Sequence, residues 1–103
     1  MNTIIFVTAS HKKEAEKIAS ALIKAKLAAC VNIIQGVHSL FRWRGKIDRA
    51  REILLIIKTR KTLLSRVIKK VKSLHSYSVP EVIALPIIAG NKEYLKWLND
   101  STR

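Results

Sequence analysis

The sequence predicts an α+β fold in which strands and helices follow one another in the order βαββαβ, with a short helix added at the C-terminus. Three observations support this class. β-branched and apolar residues are concentrated in four segments, and two further segments repeat apolar residues every three or four positions. Gly (3) and Pro (2) are scarce in the 103 residues, which argues against a disordered chain.

The first strand and first helix are predicted from adjacent patterns. Thr3 to Ala9 is β-branched and apolar, as expected of a buried central strand. Ser10 follows, and its side-chain oxygen is suited to accept a free backbone N–H as the helix N-cap. The apolar face of the helix then comprises Ala15, Ile18, Ala19, Leu22 and Ile23.

Two long β-rich segments predict an extended hairpin. Ala28 to Trp43 is the first, and Gln35-Gly36 near its middle predicts a bulge or bend. Arg44-Gly45-Lys46 is a turn signal, and Ala50 to Lys58 is the second segment. This interpretation leaves about six residues between the two strands.

The rest of the chain predicts one long helix, one strand and one short helix. The second helix covers Leu63 to Leu74, with an apolar stripe facing inward and basic residues on the other side. Glu81 to Ile88 is a strand interrupted by Pro86, which indicates an edge position or a bulge. Asn91 is a candidate cap for a terminal helix from Glu93 to Asn99.

These elements predict a single domain over residues 1–103. Short connections and right-handed crossovers fold βαββαβ into a ferredoxin-like sandwich, a four-stranded antiparallel sheet with two helices on one face. Tyr94 and Trp97 are expected to hold the terminal helix in place. The second sheet face has no helix to cover it, so it needs a partner if it is apolar.

Composition limits the cellular setting and the partners. The N-terminus lacks a basic region, the longest central apolar run is five residues, and there is one cysteine. We therefore expect no membrane span and a reducing cytoplasm. The net charge of +13 raises nucleic acid as a partner, but the basic residues are dispersed. Solvation of the outward faces is the favoured interpretation, with weak non-specific electrostatic binding left open.

Several segments resemble the CutA divalent-cation-tolerance family, in matching order and spacing. The resemblance implies a ferredoxin-like fold and a compact homotrimer in which the long hairpin strands take part in pairing between subunits. It also implies a non-enzymatic role in the response to, or binding of, heavy-metal ions such as copper. The segments that carry the resemblance are Leu27–Ile33, Trp43–Ile47, Glu52–Thr59, Val79–Ile87 and Gly90–Leu98.

The family's soft-metal ligands are only partly present. Many members have a His-Pro-Tyr segment after the second helix and a cysteine late in the first strand. This chain has Leu74-His75-Ser76-Tyr77-Ser78 and Val7 at those places, and Arg44 where the family often has Glu. His75 is therefore the candidate ligand for copper or another divalent ion. The alternative is that its ring bonds free carbonyls at the end of the helix.

A second candidate site follows from the family pattern, which places five residues near strand ends and subunit contacts. An aromatic wall with one lysine and two carboxylates would suit a small anionic or metal ligand in an inter-subunit cleft. The alternative is that the lysine pairs with a carboxylate and the aromatic residues pack an interface. The five residues are Trp43, Glu52, Lys58, Tyr77 and Glu81.

Catalysis has little support. Cys30 lies in an apolar strand without a neighbouring base, which is typical of an inert thiol. No phosphate-binding glycine loop or nucleophile elbow is present. The remaining alternatives are a small-ligand-sensing or protein-docking trimer, similar to PII signalling proteins, and a basic RNA-binding module. An RNA-binding module has the weaker support, because the central strands lack the aromatic residues that would stack bases.

Overall fold

The computed structural model describes residues 1–103 and contains one antiparallel sheet with strand order β2-β3-β1-β4. Its strands are β1 (Asn2–Ala9), β2 (Cys30–Trp43), β3 (Lys46–Arg60) and β4 (Val82–Ile87). Its helices are α1 (Lys12–Lys24), α2 (Leu64–Leu74) and α3 (Lys92–Asp100). The predicted α+β class and the predicted order of elements are confirmed.

β1 lies at the centre of the sheet, between β3 and β4, and alternates between two faces. Ile5 and Val7 are completely buried, whereas Ile4 and Phe6, which alternate with them, are only half-buried. The buried positions belong to a core of fourteen residues that also includes the inner faces of α1 and α2. Both helices therefore cover the same face of the sheet, as the sequence predicted.

The N-cap of α1 differs from the prediction. His11, not Ser10, is the cap, because its ring accepts a hydrogen bond from the backbone N–H of Glu14. Ser10 instead donates both its backbone N–H and its hydroxyl to the carboxylate of Glu14. The Glu14 side chain, at the third position of the helix, thus bonds Ser10, the residue before the cap. His11 is left to cap the helix.

The hairpin is tighter and longer than predicted. β2 begins at Cys30, two residues later than expected, and β3 spans Lys46–Arg60. The link is a two-residue turn of Arg44 and Gly45, not about six residues, and both residues have positive φ angles. Two positive φ angles give a turn whose twist matches that of the paired strands, so pairing continues up to the turn.

The predicted bulge in β2 is confirmed. The register between β2 and β3 shifts between Ile34 and Val37, and Gly36 has φ +78°. Beyond this bulge β3 pairs only with β2, since the partners of β1 on β3 end at Ile53. Residues 37–52 therefore form a two-stranded ribbon that extends past the sheet, here called the hairpin arm, in a molecule 45 Å long and 25 by 23 Å across.

The second half of the chain follows the prediction with small shifts. A 3₁₀ turn over Lys61–Leu63 precedes α2, and β4 is an edge strand that contains Pro86, as predicted. The Asn91 side chain caps α3 by accepting from two backbone N–H groups. The expectation for Tyr94 and Trp97 was wrong, since both remain about half exposed. Leu98, completely buried, anchors α3 instead.

Neither α1 nor α2 covers the opposite face of the sheet, which is here called the open face. Cross-strand neighbours place Phe6 beside Ile56 and Ile83, and Ile4 beside Leu85. Ile83 and Leu85 are each about half exposed. An apolar surface shared by several strands is typical of an interaction site. None of the helices has the length and apolar character that a membrane span requires.

Candidate functional site

Glu52 and Tyr77 meet at the end of the open face. Glu52 lies on β3 one residue beyond the partners of β1, and its side chain is largely buried. Tyr77 belongs to the segment between α2 and β4, and its hydroxyl donates to Oε2 of Glu52 over 2.9 Å. The bond attaches this segment to the sheet and satisfies one oxygen of a buried carboxylate.

The environment of Tyr77 keeps its hydroxyl protonated. Burial raises its pKa, and the hydrogen bond to Glu52 and the charge of that carboxylate raise it further, to about 12. Burial disfavours the charged phenolate, and the carboxylate of Glu52 disfavours a second negative charge beside it. Tyr77 is therefore a fixed hydrogen-bond donor toward Glu52 over the physiological pH range.

Glu81 places a second carboxylate in the same region. It directly precedes β4, and its pKa is raised by burial and then by the negative charge of Glu52. The two acids, here called the carboxylate pair, repel one another when both are ionised. A bound cation or a shared proton relieves such repulsion, and carboxylate oxygens are suitable ligands for divalent metal ions.

His75 lies next to this region, directly after α2, and its side chain is completely buried. Nε2 is 2.7 Å from the carbonyl oxygen of Thr8, so this nitrogen donates. Nδ1 accepts from the backbone N–H of Tyr77 over 3.0 Å and also lies 3.2 Å from Oε1 of Glu14. Both ring nitrogens have partners within the chain, and metal coordination requires one of these bonds to be given up.

The carboxylate of Glu14 joins the start of α1 to the segment after α2. It accepts from Ser10 and from Ser76, whose backbone N–H lies 2.6 Å away and whose hydroxyl lies 3.1 Å away. Burial would raise the pKa of Glu14, but these hydrogen bonds outweigh it and lower the pKa to about 2. Sequence reasoning missed Glu14, although its place three residues after the cap was an available signal.

An open pocket of about 340 Å³ lies over this network, between the start of α1 and the end of α2. Its lining is polar and mostly basic or hydroxylic, with a single apolar residue. Glu14 keeps a negative charge in the lining, which partly offsets the two lysines. The lining residues are His11, Lys13, Glu14, Lys17, Ser73, Leu74, His75 and Ser76.

Lys58 and Trp43 lie away from the carboxylate pair. Nζ of Lys58 donates to Oδ1 of Asn32 on the neighbouring strand over 2.6 Å, not to Glu52 or Glu81. It is six residues along β3 from Glu52, or about 20 Å. Trp43 is the last residue of β2, and the guanidinium of Arg44 lies 5.8 Å from its ring centre. Within one chain, Tyr77 therefore lies with Glu52 and Glu81, whereas Lys58 and Trp43 lie apart from them.

The remaining metal-binding residue types are dispersed. No group of three or more His, Cys, Asp or Glu residues is arranged to hold a metal ion. Cys30 is a free, half-buried thiol on β2. The residues of one chain therefore do not form the three-ligand soft-metal site that the family pattern would provide.

Comparison with known proteins agrees with this architecture. The solved structure of the divalent cation tolerance protein from Thermus thermophilus superposes with a TM-score of 0.98 at 43% identity, over all of both chains. CutA1 from Oryza sativa gives 0.97 at 49% identity, over 99% of this chain and 94% of that one. Among curated proteins, the divalent-cation tolerance protein CutA of Thermus thermophilus is 43% identical over 99% of each sequence.

The fold and these likenesses define a class of small ferredoxin-like α+β proteins. The model of the family described as CutA1 divalent ion tolerance protein matches residues 3–101, and the chain belongs to that family. The chain covers 56% of the chloroplastic CutA 1 of Oryza sativa, at 50% identity, and 55% of the chloroplastic CutA of Arabidopsis thaliana. It thus spans about half the length of these plant relatives.

Proposed function

We propose that this protein is a non-enzymatic homotrimer that contributes to divalent-cation tolerance by binding divalent metal ions reversibly. The observation that carries the proposal is the carboxylate pair. Glu52 and Glu81 lie close enough for the charge of one to raise the pKa of the other, and neither carboxylate has a basic side chain as partner. Membership of a family described by divalent ion tolerance agrees with a cation as the ligand.

The trimer is part of the proposal for two reasons. In one chain the open face has no partner to pack against, and the metal ligands are too few. The open face carries partly exposed apolar side chains, and two carboxylates are fewer than the ligands that a bound metal needs. Solvent or a neighbouring copy would supply the rest. A PII-like docking role is not favoured, because the hairpin strands are joined by two residues rather than by a long loop.

His75 remains the alternative ligand. Coordination through Nδ1 would replace the hydrogen bond from the Tyr77 N–H and place the metal beside Glu14. Copper prefers imidazole to carboxylate, so this alternative is the natural one for copper. Saturable copper binding that depends on His75 would favour it over the carboxylate pair.

Calorimetric titration of the purified protein with Cu²⁺, Zn²⁺ and Mn²⁺ tests the proposal. Saturable binding is expected for the unchanged protein and should be lost in E52Q/E81Q, which keeps the shape of both side chains. E93Q, which neutralises an exposed acid on α3, is the matched control and should bind normally. Unchanged binding by E52Q/E81Q would refute the carboxylate proposal, and loss of binding only in H75A would assign the site to the histidine.

The cytoplasmic location stays a prediction from the sequence. Named relatives include chloroplastic proteins of plants and a protein described as periplasmic from Archaeoglobus fulgidus. Fractionation of the source cells would check the location, and recovery outside the cytoplasm would contradict it.

A further inference from the structure

The outward side of the two core helices carries a concentrated positive charge. α1 and α2 lie antiparallel, since the start of α1 and the end of α2 line one pocket, and Arg103 contacts both the Lys26 carbonyl after α1 and Arg66 in α2. Residues 12–26 contribute five exposed lysines, and residues 61–72 contribute five exposed Lys or Arg residues. The only exposed acid in these two ranges is Glu16.

Five of these basic residues flank the groove between the two helices. On α1, two lysines line the pocket between the helices, and a third follows seven residues later on the same side. On α2, two basic residues precede Ser73, which also lines the pocket, by three and seven positions and so share its side of the helix. The five residues, here called the basic groove, are Lys13, Lys17, Lys24, Arg66 and Lys70.

The charges of the basic groove oppose the local stability of the helices that carry them. Lys13 and Lys17 are four residues apart on α1, as are Arg66 and Lys70 on α2, and like charges at this spacing destabilise a helix. Lys13 also lies in the first turn of α1, where the helix dipole disfavours a cation. None of the five residues forms an ion pair within the chain. An anion bound along the groove would relieve this repulsion.

The basic groove does not coincide with either surface that joins copies in the proposed trimer. Strand pairing between subunits connects backbone edges in the plane of the sheet, and packing of the open face uses the side of the sheet opposite the helices. Both contacts leave the outward side of α1 and α2 facing solvent. Contact between two basic grooves is disfavoured as well, because their like charges repel.

We propose that the basic groove binds duplex DNA through the phosphates that border its minor groove, without base specificity. The axes of packed helices lie about 8 to 10 Å apart, and the minor groove is about 6 Å wide. The basic residues of α1 can therefore meet one strand of the duplex while those of α2 meet the other. Four of the five residues are lysines, whose flexible stems and compact charge suit phosphate contacts of varied geometry.

Other polyanions fit the basic groove less well. The minor groove of duplex RNA is wide and shallow, so its two phosphate strands match the two helices poorly. Single strands are held by aromatic side chains that stack bases, and α1 and α2 contain no Phe, Tyr or Trp. A bilayer would be met without an apolar anchor, because the apolar sides of both helices are buried against the sheet, except for Ile23 near the end of α1.

The geometry sets the size of the effect. α1 has 13 residues and is about 20 Å long, and duplex DNA presents one phosphate per about 3.4 Å along each strand. Each residue of the basic groove can therefore meet its own phosphate. Five such contacts correspond to a slope of about −4.5 for the logarithm of affinity against the logarithm of salt concentration.

The experiment is fluorescence anisotropy of the purified protein with a labelled 12-base-pair duplex of arbitrary sequence, over a series of salt concentrations. The variant K17Q/K24Q/K70Q should lose affinity and reduce the magnitude of the salt slope by about 2.7. K17R/K24R/K70R, which keeps the charges, should retain the slope. The matched control K12Q/K72Q/K92Q removes three exposed charges outside the basic groove and should leave the slope unchanged.

Four outcomes would overturn the proposal. The first is no binding of the duplex by the unchanged protein at low salt. Equal loss in the control variant would show that net charge, rather than the basic groove, attracts DNA. Tighter binding of duplex RNA or of a single strand of the same length would exclude duplex DNA as the preferred ligand. If K17Q/K24Q/K70Q bound DNA normally but no longer bound vesicles containing phosphatidylserine, the groove would be a membrane-binding surface instead. Circular dichroism of each variant establishes that the fold is retained.

Discussion

Glu14 shows how one side chain can connect parts of the chain that are far apart in sequence. Its carboxylate lies in the first turn of α1 and bonds Ser10 before the helix and Ser76 after α2. The same carboxylate approaches the ring of His75, which is fixed to Thr8 at the end of β1. The candidate site thus rests on a buried charge that is stabilised almost entirely by hydroxyl and backbone donors.

We expect Glu14→Gln to destabilise the protein by about 3 kcal/mol at pH 7, the equivalent of the pKa decrease from 4.5 to about 2. The stabilisation is complete above about pH 5, because the folded state favours the ionised carboxylate, and it is lost as the pH falls toward 2. Urea unfolding at pH 7 and at pH 3, at fixed protein concentration, measures both effects.

The exposed Glu16 on the same helix provides the control, since Glu16→Gln should change stability by no more than about 0.5 kcal/mol. Equal stability of the Glu14→Gln variant and the unchanged protein at pH 7 would show that the network contributes nothing.

At the scale of the elements, the bulge in β2 separates the part of the hairpin that belongs to the sheet from the hairpin arm. Gly36 has φ +78°, a conformation that costs a residue with a side chain about 1 to 2 kcal/mol. A Cβ at Gly36 would meet no atom within 4 Å, so backbone strain is the only penalty.

Gly36→Ala should therefore lower the free energy of unfolding by about 1 to 2 kcal/mol and increase hydrogen exchange along the arm. Gly90→Ala is the matched control. Its φ is not positive and its added methyl group would make ordinary contact with Leu95 at 3.5 Å, so little change is expected. A neutral Gly36→Ala with unaltered exchange would mean that the bulge relaxes without cost.

At the scale of the whole molecule, the open face is the main apolar surface that stays accessible to solvent. A 103-residue chain buries a modest fraction of its surface, and here apolar side chains on one face of the sheet remain partly accessible. Covering it with further copies would enlarge the core without lengthening the chain. The stability of the fold would then depend on protein concentration.

Phe6→Glu places a charge in the middle of the open face and should convert the protein to a monomer. Light scattering should give three times the 11.7 kDa chain mass for the unchanged protein and the single chain mass for the variant. Ser65→Glu, on the exposed side of α2, should remain a trimer. A single chain mass for the unchanged protein would contradict the trimer.

The features that the sequence predicted well are those with local causes. Gly36 marks the bulge, Pro86 marks an edge strand and Asn91 caps a helix, because each depends on its own backbone conformation or on near neighbours. The length of the hairpin was underestimated. Arg44 at a positive φ angle is unusual, and it allowed a two-residue turn where a longer link was expected.

The features that could not be predicted depend on distant partners. The sequence predicts His75 as a metal ligand or as a partner of free carbonyls at the end of α2, yet its ring bonds the carbonyl of Thr8, 67 residues earlier. One interpretation of Lys58 pairs it with Glu52 or Glu81, whereas the strand register places Asn32 within its reach. Propensity and periodicity carry no information on such contacts, and only the assembled sheet and helices determine them.

The two outer edges of the sheet differ in a way that limits how copies can polymerise. β2 offers fourteen residues of backbone at one edge, while β4 offers six, one of which is a proline without an N–H group. A fibre of copies joined edge to edge would need both edges to accept a new strand. Because the β4 edge is short and lacks one N–H group, open-ended growth of this kind is disfavoured.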